Sequence, residues 1–144
     1  MIINETEIRA IYGDTDAMGI VYHANYIRWF EKGRTEWLRE VGYPYERMDK
    51  EGIWLPVSKV TCIYKNPAHY DDLLVIRTWL KELKAATAIM NYEIIKKENG
   101  EVCVTGETVH PITDPELRPL RFKKVNPELY QMMKDQEAGS EQKK

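Results

Sequence analysis

Between Ala24 and Val41 the residues Tyr26, Phe30, Gly33, Trp37 and Val41 recur at steps of three and four, with Ile27 and Leu38 widening the stripe. That spacing predicts an α-helix with one heavy apolar face, because side chains three and four apart stand above one another. Arg28, Glu31, Lys32, Thr35, Glu36, Arg39 and Glu40 take the remaining directions, and Gly42 and Pro44 supply the stop signals just beyond. A face this apolar must be covered. Gly33 suggests by what: it costs about 1 kcal/mol of helix propensity, and its place on the stripe implies close approach to a sheet.

The rest of the chain supplies that sheet. Ile3, Ile8 and Ile11 give a modest strand signal between Ile2 and Tyr12. After an irregular stretch through Gly52, Val60, Cys62 and Tyr64 alternate with polar neighbours. Leu74, Ile76, Thr78 and Leu80 alternate with Leu73, Val75, Arg77 and Trp79, and Ala88, Met90, Tyr92 and Ile94 share the face of a further strand. The Glu98-Asn99-Gly100-Glu101 stretch reads as a hairpin turn leading back into a strand from Val102 to Ile112. A short helix is expected over Asn126 to Lys134, with Pro127 in its first turn. The expected fold class is α+β: one long helix against an antiparallel sheet, in a single domain over residues 1–134, followed by a disordered polar tail over 135–144. The far face of the sheet still carries apolar groups, which predicts a homo-oligomer that covers it.

Charge excludes some functions. A net charge of −2 and a pI near 6.0 give no electrostatic reason to expect nucleic acid or an anionic membrane as partner. No apolar run approaches the ~18 residues of a membrane span, so no stable membrane insertion is expected. The first ten residues lack the basic and apolar regions of a secretion signal. Cys62 and Cys103 are too few and too far apart for a disulfide framework, and His23, His69 and His110 share no ligand spacing with them. A cytoplasmic protein with reduced thiols and no metal follows as the expectation.

The chemistry concentrates just ahead of the helix. Asp14 and Asp16 flank Thr15 in a turn-like stretch, Gly19 follows, and the helix begins a few residues later. The stretch from Tyr12 to Leu38, which holds Asp-x-Asp-x-x-Gly-x-Val-Tyr-x-x-Asn-Tyr, resembles the signature of hotdog-fold acyl-CoA thioesterases of the 4-hydroxybenzoyl-CoA thioesterase type, and looks closest to their bacterial branch associated with the Tol-Pal system. The similarity runs through the Asn66–Leu80 segment and covers about the first 120 residues. The resemblance implies an antiparallel sheet wrapped around one central helix, assembly as homodimers or homotetramers with active sites between subunits, acyl-CoA as substrate, and no cofactor.

By position, the resemblance makes Asp16 the catalytic carboxylate, either as a base toward water or as a nucleophile toward the thioester carbon. It places the oxyanion contact on the backbone amide of His23, where unpaired N–H groups at a helix start carry partial positive charge. Gly19, Tyr22, Asn25 and Lys84 are the expected substrate-binding residues: Gly19 for close approach, Tyr22 for pocket shape, Asn25 to cap the helix or fix the loop, and Lys84 toward the CoA phosphates. Arg118, Arg121, Lys123 and Lys124 are alternative phosphate contacts, while Asp14 reads as a turn residue and Glu31 with Arg34 as a helical ion pair. Two other functions compete. A non-catalytic acyl-CoA-binding module would need no carboxylate at position 16. An enoyl-CoA hydratase would use the Asn66-Pro67-Ala68-His69 fragment, but the carboxylate its partner position requires is Tyr64 here. Ser58 lacks the strand-to-helix elbow of a serine hydrolase.

Overall fold

The computed structural model describes residues 1–139. Strand β1 (Asn4–Arg9) leads through a short turn at Tyr12–Asp14 to the long helix α1 (Asn25–Val41). The chain continues with α2 (Tyr45–Lys50), β2 (Lys59–Tyr64), β3 (Leu73–Leu83), β4 (Thr87–Lys96), β5 (Val102–Pro111), α3 (Phe122–Val125) and α4 (Pro127–Asp135). The five strands form one antiparallel sheet in the order β1-β3-β4-β5-β2. Helix α1 lies across its inner face, so the fold class is the expected α+β.

The apolar stripe of α1 meets that face. Phe30 and Trp37 are fully buried, as are Leu74, Ile76 and Leu80 of β3 and Ile94 of β4. Phe30 stacks on Tyr92 with ring centroids 4.3 Å apart, directly over Gly106, where a Cβ would stand 2.2 Å from the Phe30 ring. Gly33 behaves as its position suggests: a Cβ there would lie 2.2 Å from Thr78 Oγ1 and 2.9 Å from Ile76 Cγ2. The helix closes on Gly42 in the left-handed region at φ 103°, whose N–H returns to the Leu38 carbonyl.

Three expectations change. The irregular stretch through Gly52 contains α2, a single and a half turns of helix too short to show periodicity. In the β4–β5 turn only Gly100 takes a positive φ, so Asn99 and Gly100 do not form a two-residue primed turn. Residues 135–139 are not part of a disordered tail, contrary to the expectation for 135–144. Glu137 is buried, its carboxylate accepts from the Leu83 N–H at 2.8 Å, and the Ala138 N–H donates to the Leu80 carbonyl at 2.9 Å. The reason is that β1 pairs with β3 only as far as Thr78, leaving the last residues of β3 an edge that this segment covers; residues 140–144 lie outside the described residues. The outer face of the sheet does carry apolar groups, Val75, Trp79, Ile89 and Ile95 among them, around the Arg77–Glu93 and Lys81–Glu107 ion pairs, each at 2.9 Å. The edge of β2 is free, and five of its six residues are exposed.

Candidate active site

The segment between β1 and α1 is built as a narrow loop. Thr15 bridges Val21, the Asp16 N–H donates to the Ile20 carbonyl at 2.9 Å, and Gly19 makes the reversal at φ 79°. Two further bonds fasten the loop to its surroundings: the Val21 N–H reaches the Ala68 carbonyl at 2.8 Å, and Ile20 bridges His69. Asp14 is used up by the turn. Its Oδ2 accepts from the Ile11 N–H at 2.9 Å, and its carbonyl accepts from the Tyr22 N–H and the Asn25 side chain.

Asp16 is used differently. Its Oδ1 accepts from the Met18 N–H at 2.8 Å, which fixes the carboxylate plane. No donor among the described residues reaches Oδ2. The carboxylate lines a cleft of about 360 Å³ together with Met18, Ile20, His23, Tyr26, Tyr64 and Asn66. His23 stands in the turn just before α1, one residue ahead of the helix cap at Ala24, rather than on the first helical turn. Its carbonyl accepts from Tyr64 Oη at 2.8 Å, and nothing among the described residues accepts from its N–H. Burial pushes the Tyr64 phenol up to about 12, with Cys62 adding to the shift, and burial likewise raises Tyr26 to about 12. Both phenols are therefore neutral; Tyr64 clamps the His23 peptide from the β2 side, while Tyr26 Oη accepts from the Ala68 N–H at 3.3 Å.

Asp16 and His23 thus share one cleft. The other four sequence-predicted residues stand off it within the single chain. Gly19 takes φ 79°, which favours glycine, and a Cβ there would meet no atom of the chain within 4 Å. Tyr22 is exposed and packs its ring 4.4 Å from that of His23. Asn25 is not the helix cap, a position Ala24 fills without a side-chain bond; it is buried and ties the Asp14 carbonyl to the helix start at 2.8 Å. Lys84 lies in the β3–β4 turn, at the end of the sheet away from Asp16. Glu31 and Arg34 are not paired; the Arg34 guanidinium donates instead to Tyr92 Oη at 3.2 Å. What sequence reasoning missed as cleft lining is Tyr26 and the Lys65–Pro67 turn, residues brought to Asp16 by the Val21–Ala68 bond and by no local pattern.

A protein-family profile described as the thioesterase-like superfamily matches residues 12–133. The chain belongs to the thioesterase-like superfamily. It is 36% identical over 129 residues to YneP of Bacillus subtilis (strain 168), whose name proposes an acyl-CoA thioesterase, with 89% of this chain and 93% of that protein covered. It is also 36% identical over 92 residues to the acyl-CoA thioester hydrolase YbgC of Escherichia coli O157:H7, covering 64% of this chain and 69% of YbgC. Among solved structures, a DHNA-CoA thioesterase from Staphylococcus aureus superposes with a TM-score of 0.91 at 31% identity, over 100% of this chain and 97% of that one. The hotdog fold follows from these matches.

For a thioesterase-like chain the other possible nucleophiles are poorly placed. Burial raises both thiols, Cys103 to about 11, so neither is a thiolate near neutral pH. His69 does not line the cleft; it sits 3.8 Å from Asp72, which also accepts from the His69 N–H. His110 is buried between Thr108 and the Leu55 carbonyl. No group of three or more metal-ligating side chains gathers among the described residues, and none of their helices is long and apolar enough to cross a membrane.

Proposed function

We propose that the protein is an acyl-CoA thioester hydrolase whose reacting group is Asp16. The observation that carries this reading is the half-committed carboxylate: one oxygen is held by the Met18 N–H while the other faces a cleft with no donor of its own. A thioester carbonyl placed between Asp16 and the His23 N–H meets an anion on one side and a donor on the other. Asp16 then either takes a proton from a water that attacks the carbonyl carbon, or attacks that carbon itself and is freed by a later hydrolysis. Charge growing on the carbonyl oxygen is received by the His23 amide, and the departing sulfur leaves as the CoA thiol. The exposed His23 side chain stands at the same cleft and serves to shape it.

The finer placement, in the 4-hydroxybenzoyl-CoA thioesterase type and its Tol-Pal-associated branch, rests on the signature from Tyr12 to Leu38. A homodimer formed through the free edge of β2, or a tetramer of such dimers, suits a cleft whose Tyr64 wall stands on that edge. A cytoplasmic location agrees with the reduced thiols. Release of free thiol from a panel of acyl-CoAs, graded in chain length and including aromatic acyl groups, tests the reading. Turnover of at least one class is expected; saturable binding without thiol release would make the protein a sensor, and loss of an enoyl chromophore without thiol would make it a hydratase.

A further inference from the structure

The carbonyl of His23 sits where α1 cannot satisfy it. Ala24 caps the helix, and a cap's carbonyl is the first to enter the helical ladder, so the His23 oxygen falls one residue outside it. Its one donor among the described residues is Tyr64 Oη at 2.8 Å, supplied by β2 from 41 residues along the chain. The preceding peptide is pinned locally. The Tyr22 carbonyl, which shares a peptide with the His23 N–H, accepts from the Asn25 N–H at 2.9 Å, and the Asn25 side chain is itself tied to the Asp14 carbonyl at 2.8 Å. Both peptides around the His23 Cα are therefore held, one from the helix start and one from the sheet. The Tyr64 ring is placed independently of its hydroxyl, edge-on to Tyr26 at 5.7 Å and to the His23 ring at 6.3 Å.

Charge decides what the Tyr64 bond is for. A carbonyl oxygen carries partial negative charge and lies about 3 Å from the amide nitrogen of its own residue. An oxyanion received by the His23 N–H would grow beside that negative end, in a cleft from which a bound acyl group excludes water. A donor on the carbonyl offsets the repulsion and stops the peptide from turning. We propose that Tyr64 is a positioning residue for thioester hydrolysis: through the His23 carbonyl it keeps the His23 N–H set toward the cleft and quenches the opposing dipole as charge develops on the substrate oxygen. This rests on the thioesterase reading above, and it gives the phenol no proton transfer. Cys62 on the same strand, Lys65 beside it, Tyr26 of α1, and Asp16 with His23 in the loop are the titratable groups around it. The phenol, pushed up to about 12, keeps its proton through neutral and mildly alkaline pH.

Tyr64→Phe in the full-length protein keeps the ring and its edge contacts and removes only the donor. Its kcat should fall about tenfold, while KM and the affinity for a non-hydrolysable CoA thioether stay within about twofold of wild type. The pH profile of kcat should keep its shape between about pH 6 and 9. By NMR, the His23 carbonyl-carbon and Ala24 amide resonances should be displaced, with those of Met18 and of α1 beyond its first turn unmoved. A kcat within about twofold of wild type, a defect carried by KM alone, or an unmoved His23 carbonyl resonance would each overturn the proposal. So would loss of the alkaline limb of the profile, which would make the phenol a proton donor, or displaced resonances throughout α1, which would make the bond one of general stability. If wild type hydrolyses no acyl-CoA, the thioesterase reading fails, while the His23 resonance still decides whether Tyr64 holds that peptide.

Discussion

Asp16 and Asp14 are two residues apart and chemically alike, yet the loop assigns them different work. Asp14 closes the turn at Ile11, whereas Asp16 keeps an oxygen free at the cleft. Asp16→Asn preserves an acceptor for the Met18 N–H but removes the anion, so kcat should fall by at least ~10²-fold, while affinity for a non-hydrolysable analogue survives. Steady-state kinetics with titration of the analogue checks this, and turnover within a few-fold of wild type would move the reaction elsewhere. Asp14→Asn should do less, because an amide oxygen can still accept from Ile11. Both aspartates and His23 were legible in the sequence because they sit together in a short ordered signature. Tyr26 and the Lys65–Pro67 turn were not legible as cleft walls. They reach Asp16 through contacts between segments some forty residues apart in the chain, such as the Tyr64–His23 bond, which no local period records. Lys84 shows the converse: aligned with a phosphate contact, it stands at the far end of its own sheet.

The helix and strands were legible where a repeating face is long enough to be read. Helix α1 offers 17 residues and a continuous stripe; α2, with six, offers none. Gly33 joins the two levels, since its missing side chain is a property of the helix that only the sheet explains. Gly33→Ala should gain about 1 kcal/mol of helix propensity and lose more to the overlap with Thr78 and Ile76, because overpacking a core costs about 1–3 kcal/mol. The net expectation is a fall of roughly 1 kcal/mol in unfolding free energy by urea titration, partly restored by Thr78→Ala, which removes the hydroxyl nearest the new methyl. A Gly33→Ala protein as stable as wild type would show that the helix and sheet slide apart freely. The segment after α4 was illegible for another reason: its role depends on β1 being shorter than β3. Glu137→Ala takes the acceptor from the buried Leu83 N–H and from Lys134. A loss of about 1–3 kcal/mol is expected, with faster amide exchange confined to Leu80–Leu83 as the signature of an uncovered edge.

For the molecule as a whole, stability should depend on pH through one buried imidazole. His110 is 1% exposed, with Nε2 at 2.7 Å from Thr108 Oγ1 and Nδ1 at 3.2 Å from the Leu55 carbonyl. Burial, then the nearby Arg34 charge, lowers it from 6.5 to about 4. Arg34 in turn donates to Tyr92 Oη, which shares a 2.6 Å bond with Thr108, so the chain of polar groups from α1 to β5 is closed around a neutral ring. Above the unfolded value both states hold the ring neutral, and it contributes no pH dependence. As pH falls from about 6.5 toward 4, the unfolded chain binds a proton that the folded chain refuses, so unfolding is favoured progressively. The slope is about 1.4 kcal/mol per pH unit, giving a loss of order 3 kcal/mol across the window. Surface carboxylates add their own acid sensitivity, so the useful quantity is a difference between proteins. His110→Gln cannot be protonated, and its unfolding free energy, followed by urea titration from neutral pH down to about 4.5, should decline less steeply than that of wild type. Parallel profiles for the two proteins would mean that the ring takes up its proton without leaving the fold, and that the polar chain behind α1 opens to solvent before the core does.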